Sequence, residues 1–338
     1  MSYPYLLSVR LMVYNHETYI REAIEGILMQ KTTFPIEVVV GDDFSTDNSL
    51  KIIKEYRDDT SHIHFKILER KEGDDYWQNR QKIGRLHNFY NILEHCSGKY
   101  IALLDGDDFW TDSSKLQKQV DFLENNPDFS TCFHNMKISN DSKSSEVEYT
   151  NTKNQESVSS ILDLAIKGNF MFTASVVFRK PTKVYPEWLS HLKIGDYPIH
   201  LYNAQFGKIK YINQVMGVYR VHDSGTWGDI AKEKQYERWI PTLHEIENKF
   251  TPEVNVQLVY QKKNALFDLY LIFSSQGKKE KAAECMTQLM DFDTNYLARK
   301  FNNLEKKLNK TLNSNAYKIG TVLIKFFTAL IQIFKNKK

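Results

Sequence analysis

The chain has 338 residues, of which 26% are charged, 41% hydrophobic and 13% aromatic. This composition excludes a disordered, collagen-like or disulfide-stapled chain, and the length predicts one large domain with an extension, or two domains. The 45 basic and 42 acidic residues leave a net charge of only +3, which argues against nucleic acid as a partner. Three cysteines without a CxxC spacing argue against a zinc ribbon and indicate free thiols in a reducing compartment.

The two ends of the chain bear on its location. The N-terminus has no basic segment followed by an apolar one, as a secretion signal would. No stretch reaches the roughly 20 apolar residues that a membrane span needs. We therefore expect a cytoplasmic protein.

Short β-rich runs alternate with helical patterns in the first part of the chain. The patterns predict strands and helices in alternation: strands at 6–13, 36–40, 63–68 and 100–104, helices at 17–30, 47–57 and 83–95. Strands separated by helices indicate βαβ units, so we expect an α/β fold with a mainly parallel central sheet flanked by helices.

The second part of the chain is less regular. The polar, aperiodic run 140–157 predicts a mobile surface loop or a lid, and β-rich runs predict strands at 172–178 and 208–221. Beyond Trp227 the pattern is helical, with Pro241 and Pro252 expected at helix ends. We expect a main domain over 1–228 and a helical C-terminal region over 229–338.

Aspartates follow two of the predicted strands. Asp42 and Asp43 come after the second strand, and Asp105, Asp107 and Asp108 come after the strand at 100–104. Parallel strands place both clusters at one edge of the sheet, where ligands of open α/β sheets bind. Uncompensated carboxylates would repel each other there, and their hard oxygen atoms suit Mg²⁺ or Mn²⁺. The sequence therefore predicts a metal–nucleotide site.

Other interpretations of the aspartates have weaker support. A calcium loop of the EF-hand type fails because Leu116 stands where the twelfth-position carboxylate belongs. A solvated acidic turn is disfavoured by the apolar neighbours Leu104 and Phe109, although Asp42-Asp43 also suits a helix N-cap. The motifs GxGxxG, GxxxxGK[ST], HExxH and GxSxG are absent, so dehydrogenases, P-loop ATPases, zincins and serine hydrolases lose support.

Three ordered segments carry a resemblance to a known family. Residues 9–15 look like a first strand ending in Tyr-Asn, 39–47 like a Val-Asp-Asp-Gly-Ser-Thr-Asp element, and 97–108 like a stretch containing an Asp-x-Asp motif. Over about residues 6–225 the chain resembles the family 2 inverting glycosyltransferases. The resemblance implies a GT-A fold, a nucleotide-sugar donor (most simply UDP-linked) and a Mn²⁺ or Mg²⁺ cofactor, with residues 1–228 as the catalytic domain.

The resemblance also implies roles at the donor site. Five residues would contact the nucleotide, with Asp43 accepting a hydrogen bond from the base: Tyr14, Asp42, Asp43, Asp105 and Arg220. Asp105, Asp107 and His222 would ligate the metal, with Asp108 supporting either group. His222 belongs to a Tyr-Arg-x-His match at 219–222, although on sequence alone a buried structural histidine is an equal alternative.

A further match implies the catalytic group. Residues 194–198 look like the family's Glu-Asp element, in which the aspartate is the base, so Asp196 would take the proton of an attacking acceptor hydroxyl. Gly195 departs from the usual Glu, and a helix N-cap is the alternative for Asp196. Met12, Phe44 and His87 also depart from the family pattern, and Met12 and Phe44 fall in the base pocket.

The C-terminal segment 318–338 has an unusual pattern. Polar residues recur at spacings of three and four and leave a wide apolar face, which predicts an amphipathic helix with lysines at its end. The helix either packs on protein or lies at a membrane interface. Interfacial binding fits a glycan or lipid-linked glycan acceptor in surface polysaccharide biosynthesis, with the enzyme peripheral on the inner face of the membrane, by analogy with the family.

Two further functions stay open. A sugar-nucleotide nucleotidyltransferase also binds nucleotides beside acidic metal ligands, but it normally has a Gly-rich basic loop early in the chain, which this sequence lacks. A non-catalytic GT-A-like subunit would dock partners through the helical tail. The aspartates at 43, 105, 107 and 196 argue against that second possibility.

Overall fold

The computed structural model describes residues 3–56, 62–140, 148–152, 154–182, 185–222, 225, 230–292 and 294–312. The predicted amphipathic segment 318–338 lies outside these residues.

The first four strands form the parallel part of the sheet. They are β1 (Leu7–Val13), β2 (Ile36–Asp42), β3 (Ile63–Ile67) and β4 (Tyr100–Asp105), and they lie in the order β3-β2-β1-β4. Val13 lies opposite Asp42 and Met12 opposite Asp105 in the register, so all three strands end at one edge. The four strand predictions are confirmed.

The helices beside these strands agree with the sequence patterns, with one addition. Helices α1 (Ile20–Leu28), α2 (Ser49–Glu55) and α4 (Leu86–His95) confirm the three predicted helices, each somewhat shorter than expected. Helix α3 (Asp75–Ile83) was not predicted, because it buries none of its residues and therefore lacks apolar periodicity. Its start is fixed by Asp74, whose side chain accepts a hydrogen bond from the Trp77 N–H at 2.7 Å.

The remaining strands make the sheet mixed. They are β5 (Phe109–Trp110), β6 (Phe129–Asn140), β7 (Glu148–Tyr149), β8 (Val158–Ser159), β9 (Val177–Arg179) and β10 (Lys208–Val221). The ten-stranded sheet continues from β4 in the order β9-β6-β10-β5, with β7 paired to β6 and β8 to β10. Strand β9 is antiparallel to both β4 and β6, whereas β6 and β10 are parallel. Helices α5 (Lys115–Asn125), α6 (Ile161–Lys167) and α7 (Asp196–Ala204) complete this part.

Apolar side chains cover both faces of the sheet. In β2, Val39 belongs to one core cluster while Val38 and Val40 belong to the other, as the alternation of side chains along a strand requires. Helix α4 contributes to the first cluster and α1 to the second. Because both faces are buried, the middle of β2 is a run of three valines rather than an alternating pattern.

Two sequence predictions in the middle of the chain need correction. The expected strand at 172–178 is instead a 3₁₀ turn at Thr173–Ser175 followed by the short strand β9. Within the run 140–157, the described residues include strand β7 and the buried Asn151, so this part is not a free surface loop. Polar side chains in this part hydrogen-bond to each other and to the backbone. The composition of the segment does not reveal such hydrogen bonds.

The C-terminal region is helical, as predicted, over its described residues up to Leu312. It contains α8 (Lys232–Ile246), α9 (Pro252–Ser275), α10 (Lys279–Phe292) and α11 (Thr294–Leu312). Pro252 begins α9 as expected, but Pro241 lies inside α8, so that prediction is wrong. The chain divides into two compact units after Ala265, within α9, and Leu243 and Leu258 lie in the core of the first unit. A functional boundary near residue 228 stays a prediction. No helix among the described residues has the length and apolar character to cross a membrane.

Candidate active site

The ends of the parallel strands bring the predicted aspartates to one edge of the sheet. The backbone N–H of Asp43 donates to the carbonyl of Val13, and that of Gly106 donates to the carbonyl of Met12, each at 2.9 Å. A Cβ added to Gly106 would lie 2.8 Å from His16 Nδ1 and 3.0 Å from the side chain of Ile20, the first residue of α1. The turn after β4 therefore packs closely against the chain that follows β1.

Asp107 lies between two imidazole rings. Its Oδ2 is 3.2 Å from His222 Nε2 and 3.8 Å from His16 Nε2. Burial acts to raise the pKa of Asp107, but the hydrogen bond with His222 and the charge of His16 outweigh it and hold the pKa below its usual value. Asp107 is therefore an ionised carboxylate with two imidazole nitrogens beside it, and the metal-ligand role of His222 stays a prediction.

Arg220 is joined to the same turn. Its backbone N–H donates to Asp108 Oδ1 at 2.9 Å, and its Nη1 donates to the Asp107 carbonyl at 2.9 Å. Its Nη2 lies 2.7 Å from Glu22 Oε1 of α1. Burial and the charge of Asp107 raise the pKa of Asp108 well above its usual value. Arg220 thus fixes a positive charge beside the aspartate turn.

Asp105 makes an ion pair that the sequence analysis missed. Arg10 lies in the middle of β1 with a fully buried side chain, and its Nη1 is 2.8 Å from Asp105 Oδ1. Its guanidinium also lies over the Phe89 ring, 4.4 Å from the centroid. Burial raises the pKa of Asp105, and the charge of Arg10 opposes this rise. The sequence did contain a signal for this ion pair, because an arginine inside an apolar strand needs a partner for its buried charge.

The described residues contain no group of three or more His, Cys, Asp or Glu side chains close enough to hold a metal ion by themselves. Of the three predicted ligands, Asp107 and His222 are neighbours, whereas Asp105 points to Arg10. Mg²⁺ in nucleotide sites is usually held by one or two carboxylates together with substrate phosphates. The Asp107–His222 pair fits that kind of shared coordination.

The two aspartates after β2 are buried and have different partners. Asp43 accepts hydrogen bonds from Tyr76 Oη at 2.7 Å and from Arg80 Nε at 2.8 Å, both from α3. Asp42 accepts from the backbone N–H and the hydroxyl of Ser45. Burial raises the pKa of Asp42, although the Ser45 contacts oppose the rise. Helix α3, which was not predicted, therefore covers Asp43, the carboxylate that was expected to bind the nucleobase.

Aromatic rings surround this carboxylate. The Tyr76 ring centroid lies 4.8 Å from that of His87 and 6.0 Å from that of Phe44, and the Arg70 guanidinium lies 3.6 Å from the Tyr76 centroid. Phe44 has a φ of 62°, a left-handed conformation that aligns it with this group at a cost in backbone strain. A planar ring of a ligand can stack on flat side chains of this kind.

Tyr14 lies at the end of β1, beside the aspartates. Its side chain is 52% exposed, as expected for a group that contacts a ligand rather than the core. The next residue, Asn15, has a φ of 54°, and its Oδ1 accepts a hydrogen bond from the Thr46 N–H at 2.8 Å. This contact ties the segment after β1 to the segment after β2.

Asp196 is the first residue of α7. Its Oδ1 accepts from the Tyr197 N–H at 2.8 Å, and its Oδ2 accepts from Asn169 Nδ2 at 2.8 Å. Burial raises the pKa of Asp196, and the charge of Asp105 adds to the rise. The preceding Gly195 packs against α4, where an added Cβ would lie 3.1 Å from the Phe89 ring, which explains why the larger residue expected there is absent.

Tyr219 lies in β10, directly before Arg220. Its ring packs against Phe172 with centroids 4.9 Å apart. Burial raises its pKa, and the charges of all four surrounding carboxylates add to the rise: Asp108, Asp107, Asp196 and Asp105. Burial and these charges therefore keep the phenol protonated.

Comparisons with known proteins identify the family of this chain. The model of the family described as "Glycosyl transferase family 2" matches residues 8–185. An uncharacterised protein of Mycobacterium tuberculosis is 34% identical over 221 residues, which cover 65% of this chain. The match spans 60% of that relative's length. Bacillus subtilis TuaG, named as a teichuronic acid biosynthesis glycosyltransferase, is 32% identical over 35% of this chain and 42% of its own.

Two solved structures illustrate the likeness of fold. Staphylococcus aureus TarS 1–349 in complex with UDP-GlcNAc has a TM-score of 0.58 and 18% identity, covering 84% of this chain and 80% of its own. The mannosyltransferase PcManGT of Pyrobaculum calidifontis, with GDP-Man and Mn²⁺, has a TM-score of 0.53 and 14% identity, covering 100% and 89%. At these identities the likeness is one of fold.

Proposed function

The chain belongs to glycosyl transferase family 2, and we propose that it transfers a sugar from a nucleoside-diphosphate sugar to an acceptor hydroxyl. The family match and the fold likeness confirm the predicted α/β fold of the GT-A type. One observation carries the proposal: Asp107, flanked by His222 and His16, lies in the turn where β4 ends beside β1. Acidic groups at this edge of an open α/β sheet suit a nucleotide diphosphate bound through a divalent ion.

The donor binds across the ends of β1, β2 and β4 in this proposal. Asp43 receives the nucleobase, with uracil and hence a UDP-sugar favoured, while Tyr14, Asp42 and Asp105 line the nucleoside. Asp107 and His222 hold Mn²⁺ or Mg²⁺, with Asp105 close by. When bound, the ion supplies Lewis-acid stabilisation of the negative charge on the leaving diphosphate. Arg220 adds a fixed positive charge, because its guanidinium donates to the Asp107 carbonyl.

Asp196 is the proposed general base. An acceptor hydroxyl is a poor nucleophile until a positioned carboxylate takes its proton, which typically contributes 10²- to 10⁴-fold to the rate. Burial raises the pKa of Asp196, and a carboxylate with a raised pKa is a better base near neutral pH. The hydroxyl oxygen attacks the anomeric carbon directly while the bond to the diphosphate breaks, so the configuration inverts.

The acceptor is proposed to be a glycan or lipid-linked glycan in surface polysaccharide biosynthesis. The name of the relative TuaG and the UDP-GlcNAc bound by the fold neighbour TarS support this class of chemistry. Residues 1–228 form the catalytic part, and residues 229–338 form the helical part. We place the enzyme in the cytoplasm, with segment 318–338 making peripheral contact with the inner face of the membrane.

Thermal melting with nucleotides tests the donor site. UDP, GDP and CDP are added to the protein, each with and without Mn²⁺. A ligand at 100 times its Kd stabilises by about 2.7 kcal/mol. With an unfolding entropy of about 2.1 cal/mol/K per residue, this raises the Tm of the 265-residue unit by about 5 °C. We expect the metal-dependent shift in the wild type and its loss in Asp107→Ala.

Asp128→Ala is the matched control, since Asp128 is an exposed partner of Lys208. It should melt like the wild type and keep the nucleotide-dependent shift. Absence of a shift with every nucleotide and metal combination would sink the donor-site proposal and favour a non-catalytic subunit. The next assay uses labelled nucleotide sugars that contain the stabilising nucleotide. Transfer of the labelled sugar to membrane acceptors then identifies the reaction.

A further inference from the structure

The Asn169 side chain contacts Asp196, and a neighbouring backbone group fixes which end of its amide faces the carboxylate. The Asn169 Oδ1 accepts a hydrogen bond from the Met171 N–H at 3.2 Å. A backbone N–H is always a donor, so the amide atom facing it is the oxygen. The Nδ2 group is then the atom that faces Asp196 Oδ2, 2.8 Å away, and it donates. The contact is therefore a charge-assisted hydrogen bond to the carboxylate.

The segment that carries Asn169 is itself held by buried amides. Asn151 Nδ2 donates to the carbonyl of Phe170 at 2.9 Å. Asn151 in turn exchanges two hydrogen bonds with Asn135 of β6: its N–H donates to Asn135 Oδ1 at 2.9 Å, and Asn135 Nδ2 donates to its carbonyl at 3.1 Å. Gly168, with a φ of 81°, ends α6 and turns the chain into this segment. Strand β6 thus positions residues 169–171 through Asn151.

We infer that Asn169 is a positioning residue for Asp196, which orients the carboxylate for proton transfer and is held in place by Asn151 and Asn135. The inference rests on the proposed function, because it takes Asp196 as the base. With Oδ2 bound to Asn169 and Oδ1 to the Tyr197 N–H, both oxygens of the carboxylate are fixed. An acceptor hydroxyl then meets a base whose orientation is already set.

A neutral donor is suited to this task. An arginine or lysine in the same position would also orient the carboxylate, but its charge would lower the basicity of the group. An amide orients it and favours its ionised form by a smaller amount. The titratable and charged groups that face Asp196 are Asp105 from β4, Arg85 and Tyr90 at α4, and Tyr219 from β10. The hydrogen bonds of the Asn169 side chain go instead to Asp196 and Met171.

The decisive experiment is a carboxylate titration that needs no substrate. Protein labelled with ¹³C at the aspartate carboxyl carbon is titrated by NMR, and the Asp196 resonance is assigned by its absence in Asp196→Asn. In Asn169→Ala we expect the pKa of Asp196 to rise by about one unit, because a hydrogen bond to the ionised form is lost. In the isosteric Asn169→Asp we expect a larger rise, because a second carboxylate faces Asp196.

Kinetics and a control separate positioning from simple folding effects. Asn169→Ala should lower kcat at least tenfold, move the acid side of the pH profile upward and leave the KM for the donor within twofold. Asn125→Ala removes a surface asparagine that donates to the Asp121 carbonyl, and it should change none of these values.

The outcomes distinguish this inference from the proposed function. An unchanged titration of Asp196 in both Asn169 variants overturns the inference, whether or not the protein transfers sugar. A shifted pKa of Asp196 with unchanged kcat and pH profile overturns the inference as well. Asn169 would then affect a carboxylate that does not contribute to the rate. If the wild type binds no nucleotide, the proposed function fails, and with it the role assigned to Asp196.

Discussion

The ion pair between Arg10 and Asp105 gives the sharpest stability prediction, because its two members differ in exposure. The Arg10 side chain is 0% exposed, whereas that of Asp105 is 25% exposed. Asp105→Asn leaves a cation enclosed in the sheet without its counter-charge. Arg10→Met leaves a carboxylate that water reaches. We therefore expect the aspartate substitution to be the more damaging of the two.

Magnitudes follow from the burial of each partner. Removing one member of a buried ion pair typically costs 3–5 kcal/mol, so Asp105→Asn should lower the free energy of unfolding by about 4 kcal/mol. Arg10→Met should cost about 2 kcal/mol, because partial hydration of Asp105 reduces the penalty. The double variant removes both charges and should lie within about 1 kcal/mol of the wild type.

Urea unfolding of the four proteins measures these values as a double-mutant cycle. A loss of 4 kcal/mol corresponds to a fall in Tm of about 7 °C for the 265-residue unit, which thermal melting detects independently. The reasoning is refuted if Arg10→Met is as damaging as Asp105→Asn. It is also refuted if the double variant is less stable than both single variants, since the two charges would then not compensate each other.

Two further predictions concern the base and the nucleobase site. Asp196→Asn should lower the transfer rate by 10²- to 10⁴-fold while calorimetry finds donor affinity unchanged. Burial raises the pKa of Asp196 and only the ionised form accepts a proton, so kcat/KM of the wild type should fall with decreasing pH at a midpoint above the usual value near 3.9. A pH-independent rate between pH 4 and 8 would contradict this. Tyr76→Phe removes a hydrogen bond to the buried Asp43 and should cost about 1.5 kcal/mol in urea unfolding, whereas Tyr149→Phe at an exposed position should cost none.

The parallel half of the fold was predictable because burial on both faces leaves a simple sequence signal. Strand β2 contains four β-branched residues, and its neighbours β1 and β4 consist mostly of buried apolar residues. Helix α3 escaped prediction because it buries no residue and is instead held by polar contacts of Tyr76 and Arg80 with Asp43. Periodicity detects helices that pack on a core, not helices tethered by hydrogen bonds.

The candidate site was predictable where residues adjacent in sequence share a strand end. The turn after β4 places Asp105, Asp107 and Asp108 together by local geometry alone. The partners of these groups come from distant segments: Arg10 lies 95 residues from Asp105 along the chain, and Asn169 lies 27 from Asp196. Such pairs depend on the register of the sheet and on loop packing, which one sequence does not specify.

The partners of the aspartates also divide the site into two kinds of chemistry. Three carboxylates lie against an arginine or an imidazole: Asp43 with Arg80, Asp105 with Arg10, and Asp107 with His222. Asp196 is hydrogen-bonded by a neutral amide and a backbone N–H. A cation beside a carboxylate stabilises its charge and suits it to binding, whereas a neutral donor leaves its basicity largely intact. Asp42 also has neutral donors, both from Ser45, so neutral donors alone do not single out Asp196. They do suit the proposed base to proton transfer, which is why the contact with Asn169 is an informative place to test the mechanism.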